Sequence, residues 1–495
     1  MRQNRLTKNR KRNPGRAQAA ETFAPFCSKC RQETMPEANR KEKTQMKVDL
    51  SRFLGKCSCG KEHAITVDEI IIASGAVREL GRVAATFQRP AILCDQNTEA
   101  AASPYMAQYF EAYEVARLQG DAIHADDHFA VAADNTISKD ADLLIAVGAG
   151  TIHDLARYTA YQRGIPFVSV PTAASVDGFV STVAAMTWHG MKKTLPAAAP
   201  ICVLADTDIF GHAPYRLTAS GISDLMGKYT ALLDWRVCHV LFGEYFCQAI
   251  HDLEMEAVQE VEQVLSRIRE GDPECMEKLM YALILSGLAM QMIGNSRPAS
   301  GAEHHVSHLW EMSIINAPID ALHGEKVSIG LLLVSEHYEK IRQAIEDGTC
   351  QIIDRRAYET DLLQQTFGAK GKYEDVLQEN DPNLMADIDL ASLEAKLPRI
   401  AWELQQLPSS ANLRKKLAEA GCVTTMEEIG LTEAECAAAM GEIGVSEPGC
   451  ATTIGEANMV TAFQSLTLRL CPYVRRRLTL LRLSKLMEFG SGNEK

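Results

Sequence analysis

The segment 143–170 constrains this chain more than any other. Leu143–Val147 is a short apolar run that ends in Gly148-Ala149-Gly150-Thr151. Phe167–Val170 is a second run, ending in Pro171-Thr172. Between them Ile152–Arg163 has a helical pattern closed by Gly164 and Pro166. Strand, glycine turn, helix and strand in that order predict a right-handed βαβ crossover, and hence a parallel sheet. Ala91–Cys94 is a further strand-like run, ending at Asp95.

Beyond about residue 206 long helical patterns take over: 223–237, 251–269, 274–294, 326–346 and most of 390–490. Prolines 214, 273, 298, 318 and 382 punctuate them. The expected architecture is an α/β nucleotide-binding domain over 46–210, with a Rossmann-like parallel sheet, followed by an all-α domain over 211–495. A chain of 495 residues with 46% hydrophobic and 23% charged residues has ample material for both.

Residues 1–45 read differently. They carry twelve Lys/Arg against four Asp/Glu, or +8 of a total of −13, leaving the rest near −21. That balance excludes nucleic acid as the main partner of the body. The basic start is expected to be a disordered extension. Met46 opens more typical folded sequence and reads as an initiator, with a tail for an acidic partner as the alternative. No apolar run is long enough for a bilayer, Ile329–Val334 being far too short, and the start lacks a secretory apolar core. The expected compartment is the cytoplasm.

Ligands of parallel sheets sit beyond the carboxyl ends of the strands. The glycine turn Gly148–Thr151 lies there, at a helix start whose free N–H groups favour an anion. A bare Gly-x-Gly serves equally as a tight turn without ligand. Thr172-Ala-Ala-Ser175-Val-Asp177 follows the next strand; its hydroxyls suit a cofactor, or an N-cap. Asp95, ending an early strand, suits a ribose hydroxyl.

In the helical part, Asp224 begins a helical pattern with Lys228 four residues on, which is enough for an ordinary ion pair. His304 and His308 are spaced to share a helix face, and His323 follows. An Asp with two His makes three donors and an open position, the arrangement of a catalytic metal. Such donors suit Zn, Fe, Ni or Co alike. Of fourteen cysteines, Cys27-Ser-Lys-Cys30 and Cys57-Ser-Cys59 are the ones that pair in sequence. The second pair is C-x-C and not C-x-x-C, and the balance of spacing is against zinc.

Taken together, Gly150-Thr-Ile-His-Asp154, Thr172–Gly178, Asp208, Ser223-Asp-Leu225, Ser300–His308 and His323-Gly324 resemble the sn-glycerol-1-phosphate dehydrogenase family. That family lies within the iron-containing alcohol dehydrogenase and dehydroquinate synthase-like superfamily. The likeness covers 47–345 and, more loosely, the helical remainder. Gly-Ala-Gly replaces the family's three glycines, and the extension falls outside its pattern. Cys57, Cys59 and His63 also match a stretch common near the start of family members.

The resemblance implies one divalent metal (Zn, Ni or Fe) on Asp224, His304 and His323, with His305 as an alternative to His304. It implies NAD(H) or NADP(H) on Gly150, Thr151, Asp154, Thr172, Ser175 and Ser181, beside the turn at Gly148. It puts Asp177 and His308 at the substrate, with Asp224 touching both metal and substrate. The implied reaction is reversible reduction of dihydroxyacetone phosphate to sn-glycerol 1-phosphate, in a homo-oligomer. His308, with an imidazole's ordinary pKa, is the expected proton relay. The alternatives are a glycerol or polyol dehydrogenase or a dehydroquinate synthase-like lyase of the same superfamily, a non-haem iron oxygenase built on a two-His-one-carboxylate triad, and a non-catalytic binding protein.

Overall fold

Every position of Leu143–Gly148 is buried, as expected of a parallel strand covered on both faces. A computed structural model of the protein describes residues 46–53, 55–120, 122–443 and 459–489. The expected extension, with Cys27 and Cys30, lies outside the described residues. The strands before the helical part are β1 (Met46–Lys47), β2 (Glu69–Ala73), β3 (Pro90–Asp95), β4 (Glu114–Leu118), β5 (Leu143–Gly148), β6 (Phe167–Pro171), β7 (Val183–Trp188), β8 (Met191–Pro196) and β9 (Cys202–Asp206).

Seven of them form one sheet in the order β1-β2-β9-β6-β5-β3-β4. β1 is antiparallel to β2, and every other neighbouring pair is parallel. Helices α1 (Gln96–Ala112), α2 (Asp127–Thr136) and α3 (Gly150–Arg163) connect strands. Alternate residues of β5 feed two cores. Ile145 and Val147 pack with Ala102 and Met106 of α1. Leu144 and Ala146 pack with Ala133 of α2 and Leu155 of α3.

The chain leaves β3 for β4 and returns across β3 to β5. Strand order therefore reverses between β3 and β5, where open α/β sheets hold their ligands. Asp95 and Gly148 end those two strands.

The helices that matter for the site are α4 (Tyr215–Met226), α5 (Lys228–Phe242), α6 (Gln248–Glu262), α7 (Pro273–Ile293), α8 (Ala302–Glu311) and α9 (His323–Glu346). The single helix expected over 223–237 is two, α4 and α5, meeting at Gly227. Periodicity hides the junction because both helices bury most of their surface. The helical part is also not purely helical: Cys350–Ile352 (β10) and Met487–Phe489 (β11) form an antiparallel pair. One helix among the described residues, α7, is long and apolar enough to cross a membrane, which the sequence reading overlooked. Its apolar window is 72% buried inside the protein, as a core helix is.

Candidate active site

Asp224 lies in the last turn of α4, His304 in the first turn of α8, and His323 opens α9. Their donor atoms all lie within 4.8 Å of one another. A glycine makes this convergence possible. A Cβ on Gly324 would fall 1.9 Å from the carbonyl oxygen of Ser220. Only glycine lets the start of α9 rest on α4, one turn before Asp224; the Gly324 N–H donates to Ser220 Oγ at 3.1 Å.

Asp224 is 1% exposed. Its Oδ1 is 3.2 Å from His304 Nε2 and 3.4 Å from Lys228 Nζ. Its Oδ2 accepts from the Asp177 N–H at 3.0 Å. Burial alone would raise this carboxyl's pKa, but Lys228 and His304 outweigh it and hold the group well below the carboxylate range. Lys228, fully buried, also pairs with Asp177 Oδ2 at 2.7 Å. The bland ion pair foreseen for Asp224 and Lys228 is thus real, and it sits inside the site.

Each histidine is held by a carboxylate. His304 Nδ1 donates to Glu303 Oε1 at 2.7 Å. Glu303 also accepts from Gly301 N at 2.6 Å and Thr230 Oγ1 at 2.5 Å. His323 Nδ1 donates to Glu311 Oε1 at 2.6 Å, and Lys192 of β8 pairs with Glu311 Oε2 at 2.8 Å. In both rings this leaves Nε2 as the nitrogen available to a metal, the same support that metal-ligating histidines commonly receive. Burial opposes a charge on His304, yet Asp224 and Glu303 raise its pKa to about 9. An imidazole wedged between two carboxylates needs a cation: a proton, or in its place a metal. The donors therefore fit a divalent ion.

His308 stacks on His323, ring centres 5.7 Å apart. Its expected ordinary pKa does not hold, because burial and then Arg475 drive it well below the imidazole value. His305 faces elsewhere. It is fully buried, neither ring nitrogen has a hydrogen-bond partner among the described residues, and it joins no metal-competent cluster there.

On the cofactor side, α3 starts at the glycine turn without a side-chain cap. A Cβ at Gly148 would fall 2.4 Å from Ile152, which excludes a side chain there, whereas one at Gly150 would press on Val176 at 3.0 Å, a tight contact that a small shift of Val176 relieves. Thr172, Ser175 and Ser181 are 5%, 4% and 3% exposed on the following loop. Thr151 lies in the first turn of α3, with Asp154 one turn on. Burial raises the Asp154 pKa against the pull of Arg157, Lys192 and His323, which brings this helix within electrostatic reach of the histidine cluster. Asp95 does local work: its Oδ1 caps α1, accepting from Asn97 N and Thr98 N at 2.8 and 2.9 Å.

Sequence reasoning gave no role to Glu303, Glu311 or Lys192. The first two had a faint signal, a carboxylate beside or three residues after a candidate histidine. Lys192 had none, since it depends on the β7–β8 hairpin folding back.

A family model described as iron-containing alcohol dehydrogenase matches residues 71–214. The chain is 40% identical over 308 residues to the NAD(P)+ glycerol-1-phosphate dehydrogenase of Bacillus licheniformis, covering 59% of this chain and 76% of that one. It is 34% identical over 396 residues to the enzyme of the same name from Geobacillus stearothermophilus, covering 78% and 90%. Among solved structures, glycerol dehydrogenase from Schizosaccharomyces pombe superposes with a TM-score of 0.51 at 18% identity, over 84% of this chain and 95% of that one. This last likeness places the chain in the dehydroquinate synthase-like fold.

Proposed function

Because the chain belongs to the glycerol-1-phosphate dehydrogenase family, we propose that it reduces dihydroxyacetone phosphate to sn-glycerol 1-phosphate with NAD(P)H, at a centre formed by Asp224, His304 and His323. It is an oxidoreductase, and the reaction is reversible. The observation that carries the site assignment is the convergence of three N/O donors from three helices, each imidazole oriented by its own carboxylate. A divalent metal there supplies Lewis-acid polarisation of the substrate's C2 oxygen, and the nicotinamide supplies the hydride.

The chain's own residues set the stage. Glu303 and Glu311 fix ring orientation and tautomer, so neither imidazole rotates away. Lys228 offsets the charge of Asp177 and Asp224, which would otherwise repel each other. Asp177 lies one backbone hydrogen bond from Asp224, on the loop that follows β6, and so links cofactor loop and metal centre. His308 enters as a neutral imidazole, able to pass a proton between its two nitrogens but not to store a charge. The uncapped start of α3 offers N–H groups to the dinucleotide pyrophosphate, with Thr172, Ser175 and Ser181 on the adjoining loop.

The test is direct. The chain is loaded with Zn or Ni, and oxidation of NADH and NADPH is followed with dihydroxyacetone phosphate; an enantiospecific coupling enzyme assigns the product. His323→Ala should lose metal and lower turnover by about three orders of magnitude or more with the fold intact. Full activity in that variant would sink the ligand assignment. Turnover of unphosphorylated glycerol in place of the phosphate ester would favour the polyol dehydrogenase reading.

A further inference from the structure

Three side chains of the loop before β2, Cys57, Cys59 and His63, meet a fourth, Cys247, just before α6. Cys57 Sγ is 3.5 Å from Cys247 Sγ. His63 Nε2 is 3.4 Å from both Cys59 Sγ and Cys247 Sγ. All four donor atoms lie within 4.8 Å of one another. Cys247 immediately precedes α6 and is fully buried; His63 is 6% exposed.

The histidine reveals what the cluster is for. Its Nδ1 is 2.7 Å from the carbonyl oxygen of Met292, at the end of α7. A carbonyl only accepts, so Nδ1 carries the proton and Nε2 presents a lone pair to the sulfurs. The loop is shaped to match. Cys57 and Lys61 are joined by a backbone hydrogen bond of 3.0 Å, Lys56 bridges Glu62, and Gly60 takes φ +85° between them. This tight turn brings Cys59 and His63 round to one side. Tyr245 Oη lies 3.2 Å from Cys59 Sγ, with Lys61 Nζ 3.4 Å above the tyrosine ring.

The spacings agree with one ion. Tetrahedral zinc with bonds of about 2.3 Å to sulfur and 2.0 Å to nitrogen has ligand–ligand edges of roughly 3.5–3.8 Å. A disulfide instead needs sulfurs about 2.05 Å apart. We propose that Cys57, Cys59, His63 and Cys247 bind a structural zinc ion. Four protein donors close the coordination sphere, so this ion takes no substrate. Binding displaces the three thiol protons and transfers no electrons. Its work is to staple the segment before β2 onto α6 and α7, where Gln291 also accepts from Thr66 N at 2.9 Å.

The inference is independent of the catalytic assignment, and its test keeps them apart. The whole chain, wild type and His323→Ala, is produced with zinc, dialysed against a mild chelator and analysed for metal. Both should keep one zinc per chain. Alkylation mapped by mass spectrometry should leave Cys57, Cys59 and Cys247 protected until strong chelation, and then label all three. Cobalt in place of zinc should show thiolate-to-cobalt charge-transfer absorption, present in His323→Ala and lost in Cys59→Ser. The wild-type measurements decide the matter if Cys59→Ser does not fold. Folded wild type with no retained metal and freely alkylated cysteines would overturn the proposal, as would a Cys57–Cys247 disulfide in the isolated protein.

Discussion

Two clusters in this chain aim imidazole Nε2 atoms at other donors, and they are built on opposite plans. At Asp224 the partners are a carboxylate and a second imidazole, and each ring's Nδ1 is held by a carboxylate, the buried Glu303 or the largely buried Glu311. At Cys57 the partners are three thiols, and the ring is held by a neutral backbone carbonyl. Three oxygen and nitrogen donors leave room for a substrate atom; four donors rich in sulfur do not. The surroundings follow suit. The first cluster adjoins the helix that starts at the sheet's topological reversal, among Lys192, Lys228 and Asp177. The second pins a loop to two helices. Donor number and softness, more than the presence of histidine, separate a reaction centre from a staple.

The largest effect expected from this contrast concerns the order of metal loss. Titration with a competing chelator should abolish turnover while the melting temperature stays near its holo value, because the open centre exchanges first. Stronger chelation should then lower the melting temperature. The comparison breaks if the melting temperature falls before activity does.

Next come the orienting carboxylates. Glu303→Gln and Glu311→Gln should each lower metal affinity or turnover by about 10–100-fold. Metal titration followed by activity, with KM for dihydroxyacetone phosphate measured separately, checks this. The shift belongs in the metal constant. A variant that binds metal normally would show that the carboxylate only fills space.

Much of this organisation is legible in the sequence where the signal is local. The β5–α3–β6 unit follows from runs and turns within thirty residues, and its observed bounds differ from the expected ones by a residue or two. His304 and His323 stood out because four of the thirteen histidines fall within twenty residues, whereas Asp224 alone read as an ordinary ion-pair partner of Lys228 and joined them only as the third donor that the family resemblance supplies. What stayed hidden depends on distance or on ordinary-looking residues. Cys247 is 184 residues from His63, so the C-x-C spacing of Cys57 and Cys59 pointed away from a site that the fold completes. Glu303 and Glu311 read like any helical glutamate until their contacts with His304 and His323 single them out. The β7–β8 hairpin buries little of β8 and turns on His189-Gly190, both at positive φ, in place of the usual Asn-Gly.

Glycines sharpen the contrast at a smaller scale. Gly324 is needed for space, since its Cβ would meet Ser220 O. Gly60 is needed for conformation, since its φ is +85° with nothing within 4 Å of a built Cβ. Gly324→Ala should cost about 1–3 kcal/mol as an overpacked contact and displace His323, lowering metal affinity at the active centre. Gly60→Ala should cost about 1–2 kcal/mol with activity intact. Urea unfolding and metal titration on both variants separate the two. Equal loss of activity would mean that the regions are mechanically coupled.

His153 supplies the internal control, with the smallest expected effect. Like His63, its Nδ1 donates to a backbone carbonyl, that of Ala149 at 3.0 Å. Its Nε2, however, meets the Ser169 hydroxyl at 2.7 Å and belongs to no metal-competent cluster among the described residues. Fixing a tautomer is therefore not sufficient to make a ligand. Burial, with Arg157 adding to it, lowers the His153 pKa to about 3, against about 6.5 in an unfolded chain. The unfolded state thus binds the proton first. Stability from this residue is complete above pH 6.5, declines as pH falls toward 3, and is level below that. Between pH 8 and pH 6 the decline is about 1 kcal/mol. His153→Gln, which carries no titrating group, should remove that increment from the difference between urea midpoints at the two pH values, and should leave both metal contents unchanged. If the wild-type and variant curves stay parallel from pH 8 to pH 6, His153 is not the neutral imidazole that its two hydrogen bonds describe.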